Sequence, residues 1–236
     1  MRRFFFSLIF ISMFGAAGTN AETLPLTQNL IALDSDPGEE LLLGAEARND
    51  YFPLSIHFTT QVHPAYCGPA TIAMVLNALD MPRPPSDMTI GLGMFDQENI
   101  FTPATRKVKL SSTIKKEGMT LNELGAVLSA HELDVNVIHA GDSSAEEFRK
   151  IASQVLDDDE KFVLVNYRRK EIGQEKGGHI SPLGAYDEDT DRFLILDVSR
   201  YKYPPVWVEA ETLFSAMNTI DTDNFSKTRG YIIVGR

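Results

Sequence analysis

The 236-residue chain is 43% hydrophobic and 23% charged, which supplies the core of one domain or two lobes and excludes a disordered polymer. Its formal net charge of −11, from 33 acidic against 22 basic residues, argues against nucleic acid or an anionic membrane surface as the main partner. One cysteine in the whole sequence excludes a disulfide-stapled fold.

The first segment reads as a secretory signal peptide. Met1-Arg2-Arg3 is a short basic start, Phe4 to Phe14 is almost wholly apolar, and Gly15 to Ala21 is small and polar enough for cleavage after Ala21. The apolar run is shorter than the ~20 residues that a membrane span needs. Export follows as the expectation, with the periplasm as the compartment and no stable membrane insertion after signal removal. Cleavage leaves 20 basic and 33 acidic residues, a formal charge of −13.

Residues 22–50 are compositionally mixed and predict an irregular arm packed on the domain that fills 51–236. Gly68 to Leu79 predicts a helix with Ile72, Val75, Leu76 and Leu79 at core spacing, and Pro69 suits its first turn. Pro82 to Val108, rich in proline and glycine, predicts a long surface excursion, part of it a candidate border of the active site. Thr120-Leu121-Asn122-Glu123 is a capping box opening a helix to about Ala130, and Val135 to His139 alternates as a strand. A second box, Ser143 to Glu146, opens a helix to about Leu156, followed by a strand at Phe162 to Tyr167. Gly178 to Tyr186 and Phe193 to Val198 then form a hairpin across the turn Asp187-Glu188-Asp189-Thr190-Asp191. A helix at Thr212 to Met217 and a strand at Gly230 to Val234 close the chain. Helices come early and strands late, which predicts an α+β fold.

Cys67 sits where a helix begins, so unpaired backbone amides and the helix dipole would stabilise a thiolate and later an oxyanion. Of five histidines, His179 has the setting of a base: it follows Gly177-Gly178, where a substrate backbone can approach, and its partner strand carries Asp197. A hairpin turn centred on residue 188 or 189 puts His179 and Asp197 on one face, where the carboxylate can orient the imidazole. A turn centred between residues puts them on opposite faces. Gln61, six residues before Cys67, can add its amide to the oxyanion site. His57, His63, His131 and His139 read as structural or loop histidines. No histidine pair has metal-ligand spacing, so no catalytic metal or other bound cofactor is expected.

These residues resemble phytochelatin synthase, the glutathione γ-glutamylcysteinyltransferase family of the papain-like cysteine protease clan. The resemblance rests on Gln61-Val62-His63-Pro64-Ala65-Tyr66-Cys67-Gly68, on Gly177-Gly178-His179-Ile180-Ser181-Pro182, and on Leu196-Asp197-Val198-Ser199-Arg200-Tyr201-Lys202-Tyr203-Pro204-Pro205-Val206-Trp207-Val208. It implies a papain-like fold, with a helical lobe carrying Cys67 and an antiparallel sheet carrying His179 and Asp197. It further implies that Cys67 attacks the Cys-Gly amide of glutathione and carries a γ-glutamylcysteinyl thioester. His179 would protonate the departing glycine, Asp197 would orient His179, and Gln61 would help bind the oxyanion. Asp221 and Arg229 look like the pair that grips the γ-glutamyl amino and carboxylate groups, and Arg169, with Arg168, Arg200 and Lys202, is a candidate for the remaining carboxylate.

Glutathione is thus the implied donor and a candidate acceptor. Cadmium or zinc would act through metal-glutathione thiolate complexes, and a homodimer is left open. The sequence departs from the eukaryotic pattern in lacking a cysteine-rich C-terminal region and in carrying an export signal. Hydrolysis of glutathione to γ-glutamylcysteine and glycine is therefore the expected major activity, with phytochelatin formation secondary. Two rivals remain at this point: a peptidase of the bacteriocin-leader type and a non-catalytic thiol- or metal-binding module.

Overall fold

Antiparallel strand pairing organises the chain. The computed structural model describes residues 23–87, 90–158 and 160–236, so the predicted signal segment at 1–21 lies outside the described residues. The strands are β1 (Ile31–Ala32), β2 (Asp134–His139), β3 (Lys161–Arg168), β4 (Gly178–Asp187), β5 (Arg192–Ile195), β6 (Val206–Glu209), β7 (Ile220–Asp221), β8 (Lys227–Thr228) and β9 (Gly230–Gly235). Seven of them form one sheet in the order β1-β6-β5-β4-β3-β9-β2, and β7 pairs with β8 as a small ribbon. Every neighbouring pair is antiparallel.

Among the described residues, seven α-helices accompany the sheet: α1 (Asp36–Gly44), α2 (Tyr51–Ile56), α3 (Cys67–Ala78), α4 (Ser111–Glu117), α5 (Leu121–Ser129), α6 (Ala145–Val155) and α7 (Ala210–Met217). The α+β expectation is met. In β3, Phe162 and Leu164 join the core of α3 and α5, while Val163, Val165 and Tyr167 join that of α6 and α7. Helices thus cover both faces, which is why β3 reads as a continuous apolar run rather than an alternating one.

The predicted stripe on α3 is wider in the structure, because every residue from Cys67 to Asn77 is buried. The sheet lies against one side, and α5, α2 and the 82–108 excursion enclose the rest. Asn77 ties that excursion down through two 2.9 Å bonds, Nδ2 to the Phe95 carbonyl and the Phe95 amide to Oδ1. A helix buried all round shows no amphipathic period.

Several boundaries differ from the sequence reading. The 22–50 segment is not irregular: β1 pairs with β6 at the sheet edge, α1 follows it, and Trp207 Nε1 donates to the Gly38 carbonyl at 3.0 Å. The Thr120 capping box forms as expected, but the next helix is capped by Ser144 through the Glu147 amide, one residue later than the predicted Ser143 box. Ser143 instead donates to the Glu147 carboxylate. Helix α4 and strand β6 were not anticipated. The first is short and lysine-rich without an apolar period, and the second hides behind Pro204-Pro205, which signals a turn. Among the described residues no helix is long and apolar enough to cross a membrane.

Candidate active site

Tyr66 caps α3 and Cys67 is its first residue, so the thiol sits at a helix N-terminus where the first amides lack intrahelical partners. Gly68 follows for a packing reason: a Cβ there would stand 2.7 Å from Met119 Sδ. The Met119 side chain therefore closes against the helix start and forms one wall of the cleft.

His179 is the second residue of β4, paired with Tyr167 of β3, whose ring it meets edge-on at 5.7 Å. Its Nε2 lies 2.8 Å from Asp197 Oδ1 and 3.0 Å from Ser181 Oγ. With Nε2 so engaged, Nδ1 is the nitrogen left for the hydrogen bond that joins the ring to the Cys67 thiol.

Asp197 lies just beyond the end of β5 rather than within it. The hairpin pairs Tyr186 with Phe193 and Asp187 with Arg192, a turn centred between residues, which alone would send His179 and Asp197 to opposite faces. Gly184 restores the phase. Leu183 pairs with Ile195 and Ala185 with Leu194, so Gly184 is an extra, bulged residue, and beyond it the register is centred on Asp189. His179 and Asp197 are then diagonal neighbours on one face.

Asp197 is fully buried yet accepts four donors: His179, both terminal nitrogens of Arg169 at 2.7 and 2.9 Å, and the Ser199 amide at 2.8 Å. Burial pushes its pKa up, but the His179 charge and hydrogen bond and the Arg169 guanidinium win and hold it far below the carboxylate range. For His179 burial favours the neutral ring, and the Asp197 carboxylate overrides it, so the imidazole pKa is raised. For Cys67 burial disfavours the thiolate. The hydrogen bond and charge of His179, then the Ile180 backbone, outweigh that and lower the thiol pKa. Opposite shifts in a contacting pair favour thiolate and imidazolium together.

Arg169 requires a correction. Expected on a substrate carboxylate, it is buried behind Asp197, bonded also to Gln174 Oε1 and lying over the Tyr203 ring at 5.3 Å. An unpaired Asp197 in the core would be costly, and Arg169 is consumed in compensating it. Arg168 and Arg200 are exposed, the latter over Phe58 at 4.8 Å.

Gln61 is buried close behind this group, its backbone amide donating to the Val198 carbonyl at 2.9 Å. Its Nε2 faces the His63 and Pro64 carbonyls and the Tyr201 hydroxyl at 2.9 to 3.0 Å, while Oε1 has no partner among the described residues. The Tyr201 hydroxyl thus holds Gln61, and the Tyr203 ring lies against Arg169.

Asp221 and Arg229 do converge with Cys67 and His179, lining one cleft of about 610 Å³. The β7-β8 ribbon brings them together at 3.4 Å, and Arg229 also donates to the Ile220 carbonyl at 2.7 Å. The guanidinium lies over Gly178, where a Cβ would be 3.5 Å from Arg229 Nε. His139 is structural, as expected, bonding the Thr228 carbonyl and Asn122 Oδ1. The 82–108 excursion does not border this cleft; it lines a separate one of about 640 Å³ behind α3 that contains none of these groups.

Sequence reasoning missed Lys109, Glu123 and Asn166 in the cleft wall. Lys109 bonds Glu123 at 2.9 Å, a pair invisible at a separation of fourteen residues. Ser181 stood inside a quoted motif without a role.

The phytochelatin synthase profile matches residues 21–231. The chain belongs to the phytochelatin synthase family. A glutathione gamma-glutamylcysteinyltransferase 3 of Lotus japonicus is 32% identical over 94% of the chain and 45% of its own length. Glutathione gamma-glutamylcysteinyltransferases of Schizosaccharomyces pombe and Arabidopsis thaliana are 32% and 30% identical over 89% and 87% of the chain, and 50% and 42% of their own lengths. The chain spans about half the length, or less, of these family members.

Proposed function

We propose that the chain is a papain-like acyl-transfer enzyme that cleaves glutathione through a γ-glutamylcysteinyl thioester on Cys67. The observation that carries this reading is the continuous contact Cys67–His179–Asp197 opening into the cleft that holds Asp221 and Arg229. The family relationship supports glutathione as the donor.

In the proposed reaction the Cys67 thiolate attacks the carbonyl carbon of the Cys-Gly amide. The oxyanion forms at the start of α3, where the Cys67 amide is free of an intrahelical partner. Gln61 joins it by exchanging one acceptor: its two amide hydrogens face three oxygens, so one is always surplus. His179 passes its Nδ1 proton to the glycine nitrogen as the carbon–nitrogen bond breaks, and glycine leaves. Asp197 stabilises the imidazolium and fixes the ring through Nε2. Water, deprotonated by the now neutral His179, then opens the thioester, releasing γ-glutamylcysteine and regenerating the thiolate. A second glutathione, alone or as a cadmium or zinc thiolate complex, is the competing acceptor and yields phytochelatin. Hydrolysis is the major route in this reading, and transfer to a second glutathione the minor one. The basic start and apolar run before Ala21 support export before the reaction.

The test is product analysis by mass spectrometry with glutathione, with and without cadmium or zinc. Glycine and γ-glutamylcysteine in equal amounts, absent with Cys67→Ala, support the proposal. Oligomers dominating in both conditions reverse the preference for hydrolysis, and cleavage of an unstructured peptide without glycine release from glutathione favours a peptidase.

A further inference from the structure

Ser181 is fully buried on a face of β4 that is otherwise apolar: Val165 stands opposite it on β3, and Leu183, two residues on, joins the same core under α6 and α7. A hydroxyl buried there is costly unless it is paired. Its oxygen meets two groups, the Val198 amide, which donates to it at 3.3 Å, and His179 Nε2 at 3.0 Å. Pro182 explains the first contact. It has no amide hydrogen, so its carbonyl accepts from the Leu196 amide at 3.0 Å and nothing is donated in return. The ladder between β4 and the segment carrying Asp197 weakens there, and the Ser181 side chain supplies the next link. The Val198 carbonyl in turn accepts from the Gln61 amide at 2.9 Å, so one residue joins the hydroxyl to Gln61. The second contact falls on the base. Asp197 Oδ1 also serves Arg169 at 2.9 Å and the Ser199 amide at 2.8 Å, and a single bond to it would leave the imidazole free to pivot.

We infer that Ser181 is a positioning residue for the base, its hydroxyl oxygen sharing the His179 Nε2 hydrogen with Asp197 and so keeping Nδ1 turned toward Cys67 through both half-reactions. This rests on the acyl-transfer reading and deepens it. In that reading Nε2 keeps its hydrogen throughout, whether the ring is imidazolium or, once glycine has taken the Nδ1 proton, neutral. Ser181 Oγ has two lone pairs, one for the Val198 amide and one for this hydrogen. A hydroxyl that donated to Nε2 instead would put the neutral ring's hydrogen on Nδ1 and leave no base facing Cys67 or water.

The test compares the parent with Ser181→Ala and with Ser181→Thr, which keeps the oxygen, in glycine release from glutathione and in the pH dependence of Cys67 alkylation by iodoacetamide. The other groups facing His179, namely Cys67 on α3, Asp197 beyond β5, and Tyr167 and Arg169 at and just past the end of β3, are the same in all three proteins. Ser181→Ala should lose about tenfold in kcat per folded molecule, the scale of one hydrogen bond, with KM within about twofold. Its alkylation should rise at a higher pH, by up to about one unit, which is the same tenfold. Ser181→Thr should recover most of kcat and the parent profile, whatever its added methyl costs in stability. An alanine variant unchanged in kcat and in profile, or a threonine variant as impaired as the alanine one, overturns the inference. Nitrogen-15 spectra of the histidine-labelled parent decide the same point without any variant having to fold: Nε2 of His179 should stay protonated while Nδ1 titrates, and the reverse assignment overturns the inference. Absence of glycine release by the parent overturns the glutathione reading alone, since the spectra and the alkylation profiles still decide what Ser181 does.

Discussion

His179 reaches Asp197 at 2.8 Å because Gly184 adds one unpaired residue to β4. A Cβ at residue 184 would meet three side-chain atoms of Leu196 at 3.1 to 3.4 Å, directly beside Asp197. Gly184→Val should therefore cost about 1–3 kcal/mol by overpacking and lower activity by more than the unfolded fraction accounts for. Urea unfolding and active-site titration on the same preparation measure both. Full specific activity per folded molecule would mean that the bulge does not position the pair.

The ionisation of Cys67 and His179 gives the activity profile two limbs. The thiol pKa is lowered from 9.0 and the imidazole pKa raised from 6.5, and both shifts favour the thiolate–imidazolium pair. Iodoacetamide alkylation of Cys67 should rise at a pH below that of an ordinary thiol. Asp197→Asn removes the group that raises His179, so the rise should move upward in pH. Stability follows the same signs. The His179 contribution is fully present below pH 6.5 and is lost as pH rises through its raised folded value. Those of Cys67 and Asp197 are present above 9.0 and 3.8 and are lost as pH falls through their lowered folded values. An alkylation profile identical in the parent and Asp197→Asn would contradict the coupling.

Arg169 stands behind the site, its guanidinium bonded to the buried Asp197. Arg169→Met leaves Asp197 buried without its guanidinium, so stability should fall by about 3–5 kcal/mol. Among molecules that remain folded, kcat should fall while KM for glutathione changes little, because the lost interaction orients His179. Arg229→Met should do the reverse, raising KM. A large KM effect at Arg169 with kcat intact would restore the substrate role read from the sequence.

Much of this site was legible as chemistry and less of it as geometry. Cys67 could be found because a lone thiol stood before a helix with Pro69 in its first turn, and helix starts have local signals. The same-face relation of His179 and Asp197 could be posed only as a conditional. Turn and strand residues give a hairpin, but a one-residue bulge changes the phase and leaves only a glycine as its mark. Arg169 was misassigned because sequence order cannot say whether an arginine beside a strand end faces a cleft or a buried acid. Asn166 sat unnoticed inside an apolar strand, where one polar residue gives no sign of the cleft it lines. The 22–50 arm looked irregular because a two-residue edge strand has no period to read.

The central claim is that Cys67 carries the substrate's γ-glutamylcysteinyl group. Rapid acid quench of the protein mixed with glutathione, followed by intact-mass and peptide mapping, tests it directly. The account predicts a γ-glutamylcysteinyl adduct on the Cys67 peptide, formed with one glycine released per adduct and absent from Cys67→Ser. Glycine release by Cys67→Ser at the parent rate, or release by the parent without an adduct at any quench time, would contradict it.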